Sequence, residues 1–220
     1  MHILVLTDRD WTHPQGGGTG ANLYGQVSRW LAWGHRVSII ACSYPGAKSF
    51  ERIDSLEIHR VGGRSTVFPR AILRQWRGLV PDADVALEVL NGITFLTPVW
   101  MLTPRVTLVH HIHRRHYVEE LGRAGAVAAL ALETLPLQLL YPGSRFLTIS
   151  RSTAMEIADH GIDEDQIAVN YLGVELESFG PGERELQPTL LYLGRLKRYK
   201  RIEVLLSCLL YTSPSPRDRS

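Results

Sequence analysis

The stretch His2-Ile-Leu-Val-Leu-Thr7 opens the chain with a continuous apolar run. Short runs of this kind are typical of strands that are buried on both faces of a parallel sheet. A glycine segment follows at residues 16–20, and apolar residues then recur at helical spacing up to Gly34: Leu23, Val27, Trp30 and Leu31. Arg36–Ala41 is the next apolar run. This order of strand, glycine loop, helix and strand predicts a doubly wound α/β domain.

The alternation of strand and helix patterns continues to about residue 180. Apolar runs predict strands at 56–61, 84–89, 106–110, 146–149 and 166–171, with a weaker candidate at 66–68. Helices are predicted from Pro69, over 118–141, and after Ser150, which is a typical N-cap residue. We therefore predict a Rossmann-like parallel sheet over residues 1–180, a linker over 181–188, and the start of a second domain over 189–206.

Composition excludes several classes of protein. The chain has 220 residues, of which 45% are hydrophobic, and its net charge of +2 is too small to indicate nucleic-acid binding. Its 2 cysteines predict no disulfide framework, so we expect a cytoplasmic protein. The apolar window 124–141 is interrupted by Glu133, Pro136 and Gln138, which favours a core helix over a membrane span.

The last residues differ from the rest. Residues 207–220 lose the helical apolar spacing and end in a segment rich in serine, proline and arginine. We interpret them as a non-native tail without a packed partner. The chain is then expected to be a fragment whose C-terminal domain is truncated.

A basic segment near the C-terminus indicates an anion site. The apolar run Leu190–Leu193 predicts a buried strand that Gly194 ends, and cations then precede a new apolar segment: Arg195, Lys197, Arg198, Lys200 and Arg201. A helix N-terminus combined with arginine is suited to phosphate oxygens. The alternative is a solvated basic loop.

The glycine segment also permits two interpretations. Gly16, Gly18 and Ala21 satisfy the dinucleotide pattern G-x-G-x-x-A, but residues 8–15 separate them from the first strand. The acid expected at the end of the second strand is also missing. We favour a loop that lets a phosphate or sugar approach the backbone closely, with a surface turn as the alternative.

Four histidines cluster at His110, His111, His113 and His116. His110 and His111 would point to opposite faces of a continuing strand, so a zinc site is not expected. His110 is the best candidate for a ligand contact, with His111 second, because parallel strands bind ligands at their carboxyl ends. A structural histidine is the alternative. Glu88 and Glu133 stand alone in apolar surroundings and are candidates for shifted pKa values or for core acids.

Six segments, taken in their order along the chain, carry a resemblance to a known family. They are Gly16-Gly-Gly with its helix, Gly34-His-Arg-Val-Ser-Ile-Ile, Val106-Thr-Leu-Val-His-His-Ile-His-Arg, Leu147-Thr-Ile-Ser-Arg-Ser-Thr153, Val169-Asn-Tyr-Leu-Gly-Val174 and Leu191-Tyr-Leu-Gly-Arg-Leu-Lys-Arg-Tyr-Lys200. Together they resemble glycosyltransferase family 4, the retaining enzymes of the GT-B fold. The resemblance implies two Rossmann-like domains, with the acceptor mostly on the N-terminal one and a nucleotide sugar on the C-terminal one. It implies no metal cofactor.

The resemblance also implies roles for individual residues. Arg195 and Lys200 would hold the donor's diphosphate, and His110 would contact the transferred sugar or the acceptor. Further donor or acceptor contacts are expected at Gly16, Gly17, Gly18, His111 and Ser150. The family's glutamate pair, E-x7-E, is absent from this sequence, so we expect the fragment to be inactive as it stands.

We therefore predict part of a hexosyltransferase that moves a sugar from a nucleotide sugar to a saccharide or lipid-linked acceptor. Peripheral contact with the inner face of the membrane is left open. The alternatives are a sugar-nucleotide epimerase of the same architecture, an NAD-dependent oxidoreductase, and a non-catalytic module that binds a saccharide or a lipid surface.

Overall fold

The structure, a computed structural model, describes residues 1–79, 82–112, 116–183, 186–187, 189–194, 196 and 198–212. The strands within these ranges are β1 His2–Leu6, β2 Arg36–Ala41, β3 Phe50–Ile53, β4 Leu56–Arg60, β5 Val85–Leu90, β6 Arg105–Val109, β7 Arg145–Thr148 and β8 Ile167–Val169. The helices are α1 Gly17–Ala32, α2 Val67–Trp76, α3 Thr97–Trp100, α4 His116–Leu140, α5 Arg151–Ala158 and α6 Ile202–Thr212.

The described strands form one sheet in the order β3-β4-β2-β1-β5-β6-β7-β8. Every neighbouring pair is parallel except β3 and β4, which form an antiparallel pair at one edge. The order reverses direction at β1, with β2 on one side and β5 on the other, as in doubly wound folds. The predicted α/β class is confirmed, and the carboxyl ends of the parallel strands lie at a common edge.

Side-chain alternation along β1 divides the core into two layers. Ile3 and Val5 pack with Leu23 and Val27 of α1 on one face of the sheet. Leu4 and Leu6 pack with α2 and the segment after β5 on the other face, against Val67, Phe68, Ala71, Phe95 and Met101. Successive residues of a strand point to opposite faces, so a continuous apolar run supplies both layers.

The chain divides into two compact units. The first comprises residues 1–113 and 127–173, and it contains the whole described sheet. The second comprises residues 114–126 and 174–220, and it includes α6 and a 3₁₀ turn at Arg198–Lys200. Among the described helices, none combines the length and the apolar character needed to cross a membrane.

Several local predictions require correction. Residues 66–68 are not a strand, because Val67 begins α2, and Pro69 lies in the first turn of that helix. The antiparallel strand β3 was not predicted from the sequence. Its sequence Phe-Glu-Arg-Ile has two charged residues at its centre, so it lacks the apolar pattern of a buried strand.

Two corrections concern the C-terminal region. Leu190–Leu193 does not form the expected strand; the described residues of the second unit contain no other strand that could pair with it. Helical spacing was expected to be lost from residue 207, but the helix that begins at Ile202 continues as α6 to Thr212. This continuation is reasonable because residues 203–212 contain no glycine or proline, and Pro214 is the first helix breaker. Residues 213–220 of the expected tail lie outside the described residues.

Candidate functional site

Polar residues follow several neighbouring parallel strands where those strands end. Thr7 and Asp8 follow β1, Asn91 follows β5, His110 follows β6, and Ser150 lies two residues after β7. The register pairs Leu90 with Val109 and Val109 with Thr148, so the carboxyl ends of β5, β6 and β7 are level with one another. This edge is where α/β sheets bind their ligands.

His110 is buried at this edge, and its imidazole contacts the first helix. The side-chain nitrogen Nδ2 of Asn22, in α1, lies 3.1 Å from His110 Nε2. An amide nitrogen can only donate, so in this arrangement Nε2 accepts and the proton of the neutral ring is on Nδ1. Nδ1 is itself buried and has no hydrogen-bond partner among the described residues. The ring therefore offers a donor that the described part of the protein leaves unsatisfied.

The protonation state of His110 follows from its surroundings. Burial lowers its pKa from the ordinary value of 6.5, and the Asp8 carboxylate opposes this shift. Desolvation disfavours the charged form of a histidine, so the ring is neutral at neutral pH. A neutral imidazole in this position can donate one hydrogen bond to a hydroxyl or phosphate oxygen.

Ser150 and His110 are joined through the start of α5. The Ser150 hydroxyl accepts a hydrogen bond from the Thr153 backbone N–H at 3.2 Å, as the predicted N-cap should. The Thr153 hydroxyl donates to the backbone carbonyl of His110 at 3.3 Å. Ser150 therefore has a structural task at this edge, and its role as a ligand contact stays a prediction.

The loop between β1 and α1 is fixed by two buried carboxylates. Asp8 accepts from Arg9 Nε at 2.8 Å and from Asn91 Nδ2 at 3.3 Å, which connects the ends of β1 and β5. Asp10 accepts from Arg60 Nε at 2.7 Å and from the Thr12 backbone N–H at 2.7 Å. Arg60 terminates β4, so this ion pair attaches the loop to the other half of the sheet.

The first three glycines of the segment 16–20 differ in their steric surroundings. A Cβ at Gly16 would lie 3.0 Å from the Asp10 carbonyl oxygen, and Gly17 has a φ of +58°, so the backbone itself needs both glycines. A Cβ at Gly18 would meet no atom within 4 Å. Among the described residues no side chain caps the N-terminus of α1, and its first turn contains no acid. Gly18 is therefore the position where space is open beside uncapped backbone N–H groups.

Glu88 lies within β5, before the carboxyl end of that strand. Its carboxylate is fully buried and accepts hydrogen bonds from the Phe95 backbone N–H at 2.6 Å, from the Thr97 hydroxyl, and from the Tyr141 hydroxyl at 2.7 Å. Burial raises the pKa of Glu88, although these hydrogen bonds oppose the shift. Glu88 is therefore a hydrogen-bonded core acid that also has a shifted pKa, so both alternatives apply to it. Glu133 is also buried and has a partner of its own.

The remaining candidates are an exposed histidine, residues outside the described ranges, and a lysine of the second unit. His111 is exposed, unlike His110. Arg195 and Lys197 lie outside the described residues, as does His113, and the side chain of His116 does too. Lys200 belongs to the second unit, in the 3₁₀ turn that precedes α6. The diphosphate roles of Arg195 and Lys200 therefore stay predictions.

Sequence reasoning missed several residues of the site: Asp8, Asp10, Asn22, Arg60 and Asn91. For Asp8 and Asn91 a signal was available, because each directly follows a predicted strand as His110 does. Asn22 had no comparable signal, since polar residues are ordinary on the exposed face of a helix.

Comparisons with known proteins agree with this architecture. The model of the family "Glycosyltransferase Family 4" matches residues 16–178. The chain belongs to this family. A search of curated protein sequences gives no significant match.

Among solved structures, sucrose-phosphate synthase from Thermosynechococcus elongatus is similar, with a TM-score of 0.72 and 14% sequence identity. The match covers 96% of this chain and 60% of the synthase, so the chain spans less than two thirds of that protein. At 14% sequence identity the similarity between the two proteins shows a shared fold. It confirms the Rossmann-like, GT-B type of architecture that the sequence predicted.

Proposed function

We propose that this chain is the acceptor-side part of a retaining glycosyltransferase. The enzyme would move a hexose from a nucleotide sugar to a saccharide or lipid-linked acceptor, without a metal cofactor. Membership of glycosyltransferase family 4 supports the reaction class. The proposal places the protein in the cytoplasm, and a lipid-linked acceptor would bring it to the inner face of the membrane.

The observation that carries the proposal is the buried Nδ1–H of His110, for which the described residues provide no hydrogen-bond partner. A buried donor without a partner is rare in native proteins and unfavourable by about 1–3 kcal/mol. A sugar hydroxyl that accepts this bond would remove the penalty and be oriented by it. In this role His110 positions the sugar against the open backbone at Gly18, and Asn22 holds the imidazole in the required tautomer.

The second part of the proposal concerns the leaving group. Arg195 and Lys200 would stabilise the negative charge that develops as the bond between sugar and diphosphate breaks. Because such a contact strengthens in the transition state, Arg195→Ala should lower kcat more than it raises KM. One such contact is typically equivalent to about 3 kcal/mol, or roughly a hundredfold in rate. Lys197→Ala and Arg198→Ala serve as controls, and equal small losses would favour a solvated basic loop.

The test is transfer activity of the protein produced from the complete reading frame. A panel of UDP-, GDP- and ADP-sugars is incubated with saccharide and lipid-linked acceptors, and products are identified by mass and anomeric configuration. An enzyme that converts the nucleotide sugar to its epimer without an acceptor would contradict the proposal. Binding without turnover in any combination would favour a non-catalytic module, and stabilisation by NAD alone would favour an oxidoreductase.

The matched variants are His110→Ala and His35→Ala. His35 lies in the turn before β2, at the opposite end of the parallel strands. Loss of one hydrogen bond to the substrate should lower kcat/KM about tenfold for His110→Ala. The His35 variant should retain full activity.

A further inference from the structure

A second site lies in the first unit, away from the carboxyl end of β6. A cavity of about 500 Å³ opens between the end of β4 and helix α2. Its walls consist of Arg60, Val61, Gly62, Arg70, Leu73, Arg74, Arg77 and Leu79. Four of these residues are arginines and none is acidic, so every charged residue among them is a cation. Its volume is within the range of small-ligand sites.

Arg60 contributes little free charge to this cavity. Its guanidinium is buried and already paired with Asp10 and Glu51, and Nη2 donates to the Thr12 hydroxyl at 2.9 Å. Its task is to hold the loop before α1. The other three arginines therefore determine what the cavity can bind.

Arg70, Arg74 and Arg77 lie at intervals of four and three residues on or just after α2, which places them on one side of the helix. Within the described part of the chain, no carboxylate is within ion-pair distance of any of them. Like charges at this spacing are mildly destabilising to a helix. The repulsion between the three arginines is thus unfavourable without a ligand, and a bound anion would reduce it.

Arg74 is partly pre-positioned for such an anion. Its Nη2 lies 3.1 Å from His59 Nδ1. Burial is the main cause that lowers the pKa of His59, and the positive charge of Arg74 is the second. The neutral His59 can accept this hydrogen bond and so orients the guanidinium. Arg74 Nε is buried and has no partner in the described residues. A donor that is desolvated and unpartnered is a second, independent indication of a ligand.

The rim of the cavity is apolar. Leu73 and Leu79 line it and are exposed, and the neighbouring Trp76 is 69% exposed. We propose that this cavity binds a phosphate group, carried either by the headgroup of an anionic lipid or by a soluble phosphate ester. Guanidinium forks match phosphate oxygens geometrically, and the exposed Trp76 and leucines would enter the interfacial layer in the lipid case.

The inference does not rest on the proposed transferase reaction. It concerns binding to three arginines that have no part in the site at His110, so binding assays test it whether or not the protein transfers sugars.

The experiment compares two double variants of the full chain. Arg70→Gln with Arg77→Gln removes two cations from the cavity. Arg36→Gln with Arg145→Gln removes two exposed arginines from the starts of β2 and β7, so the net charge of the control is the same. Thermal melts first establish that both variants are folded.

The first arm measures sedimentation with vesicles of phosphatidylcholine alone or with phosphatidylglycerol, and the second measures calorimetric binding of glycerol 3-phosphate. Each basic residue near an anionic surface contributes about 1 kcal/mol, roughly fivefold in affinity, so the cavity variant should bind about 25-fold more weakly than the parent. Trp76→Ala should weaken only the vesicle arm.

Binding that requires phosphatidylglycerol and is lost in the cavity variant supports the lipid source. Binding of glycerol 3-phosphate that is lost in the same variant supports the soluble source. Equal losses in the two double variants, or no binding of the parent in either arm, would overturn the inference.

Discussion

Replacing Arg60 with methionine removes the cation that attaches the loop before α1 to β4. The side chains of Arg60 and Asp10 are 1% and 0% exposed, and Nε lies 2.7 Å from the carboxylate. Methionine keeps most of the apolar stem of arginine. The change therefore deletes the ion pair and its hydrogen bonds while it preserves much of the packing.

The expected effect is large because Asp10 remains buried without its cation. Breaking a buried ion pair by removal of one partner lowers the free energy of unfolding by about 3–5 kcal/mol. For a domain of this size 1 kcal/mol corresponds to about 2–4 °C, so the melting temperature should fall by roughly 6–20 °C. Adding Asp10→Asn to this variant should recover part of the loss, since no uncompensated charge is then buried.

The assay is urea and thermal unfolding of the parent, the two Arg60 variants and a control. Arg52→Met is the control, because Arg52 pairs with Glu57 at 2.7 Å while 67% of the Arg52 side chain is exposed. An exposed pair of this kind contributes about 0–1 kcal/mol. Amide exchange at residues 16–20 should accelerate only in Arg60→Met. A loss no greater than that of Arg52→Met, or no recovery with Asp10→Asn, would refute the reasoning.

Three further predictions concern the same edge of the sheet. Glu88 has a raised pKa in the folded protein, so the native state binds its proton more tightly and the parent should lose stability relative to Glu88→Gln as pH rises above about 4.5, measured by urea unfolding at several pH values; parallel profiles would contradict this. Asn22→Ala should raise the pKa of His110, followed by NMR titration of the imidazole, because the bond to Nε2 stabilises the neutral ring; an unchanged or lower value would exclude the proposed tautomer. Gly16→Ala should lower the melting temperature, whereas Gly18→Ala should leave it unchanged, because only Gly16 would bring its Cβ against the Asp10 carbonyl.

Sequence patterns were sufficient for the fold class and for most element positions. Arg36–Ala41 is observed with the predicted bounds, and Ser150 caps α5 as expected. These features depend on local chemistry: apolar runs that bury both faces of a strand, and a hydroxyl that satisfies the first N–H groups of a helix. Local patterns failed where pairing decides the outcome, as at β3, which exists because β4 is beside it, and at Leu190–Leu193, which has no described partner strand.

His110 could be selected from the sequence because a strand end is a local feature. What surrounds His110 is decided by tertiary structure. Asn22 is 88 residues away from it along the chain, and Arg60 is 50 residues from Asp10. Contacts over such separations depend on the order of strands in the sheet, and many orders are compatible with the same alternation of strands and helices. Composition and spacing therefore determined most of the elements, while the sheet order determined which polar groups meet and which buried donors lack a partner among the described residues.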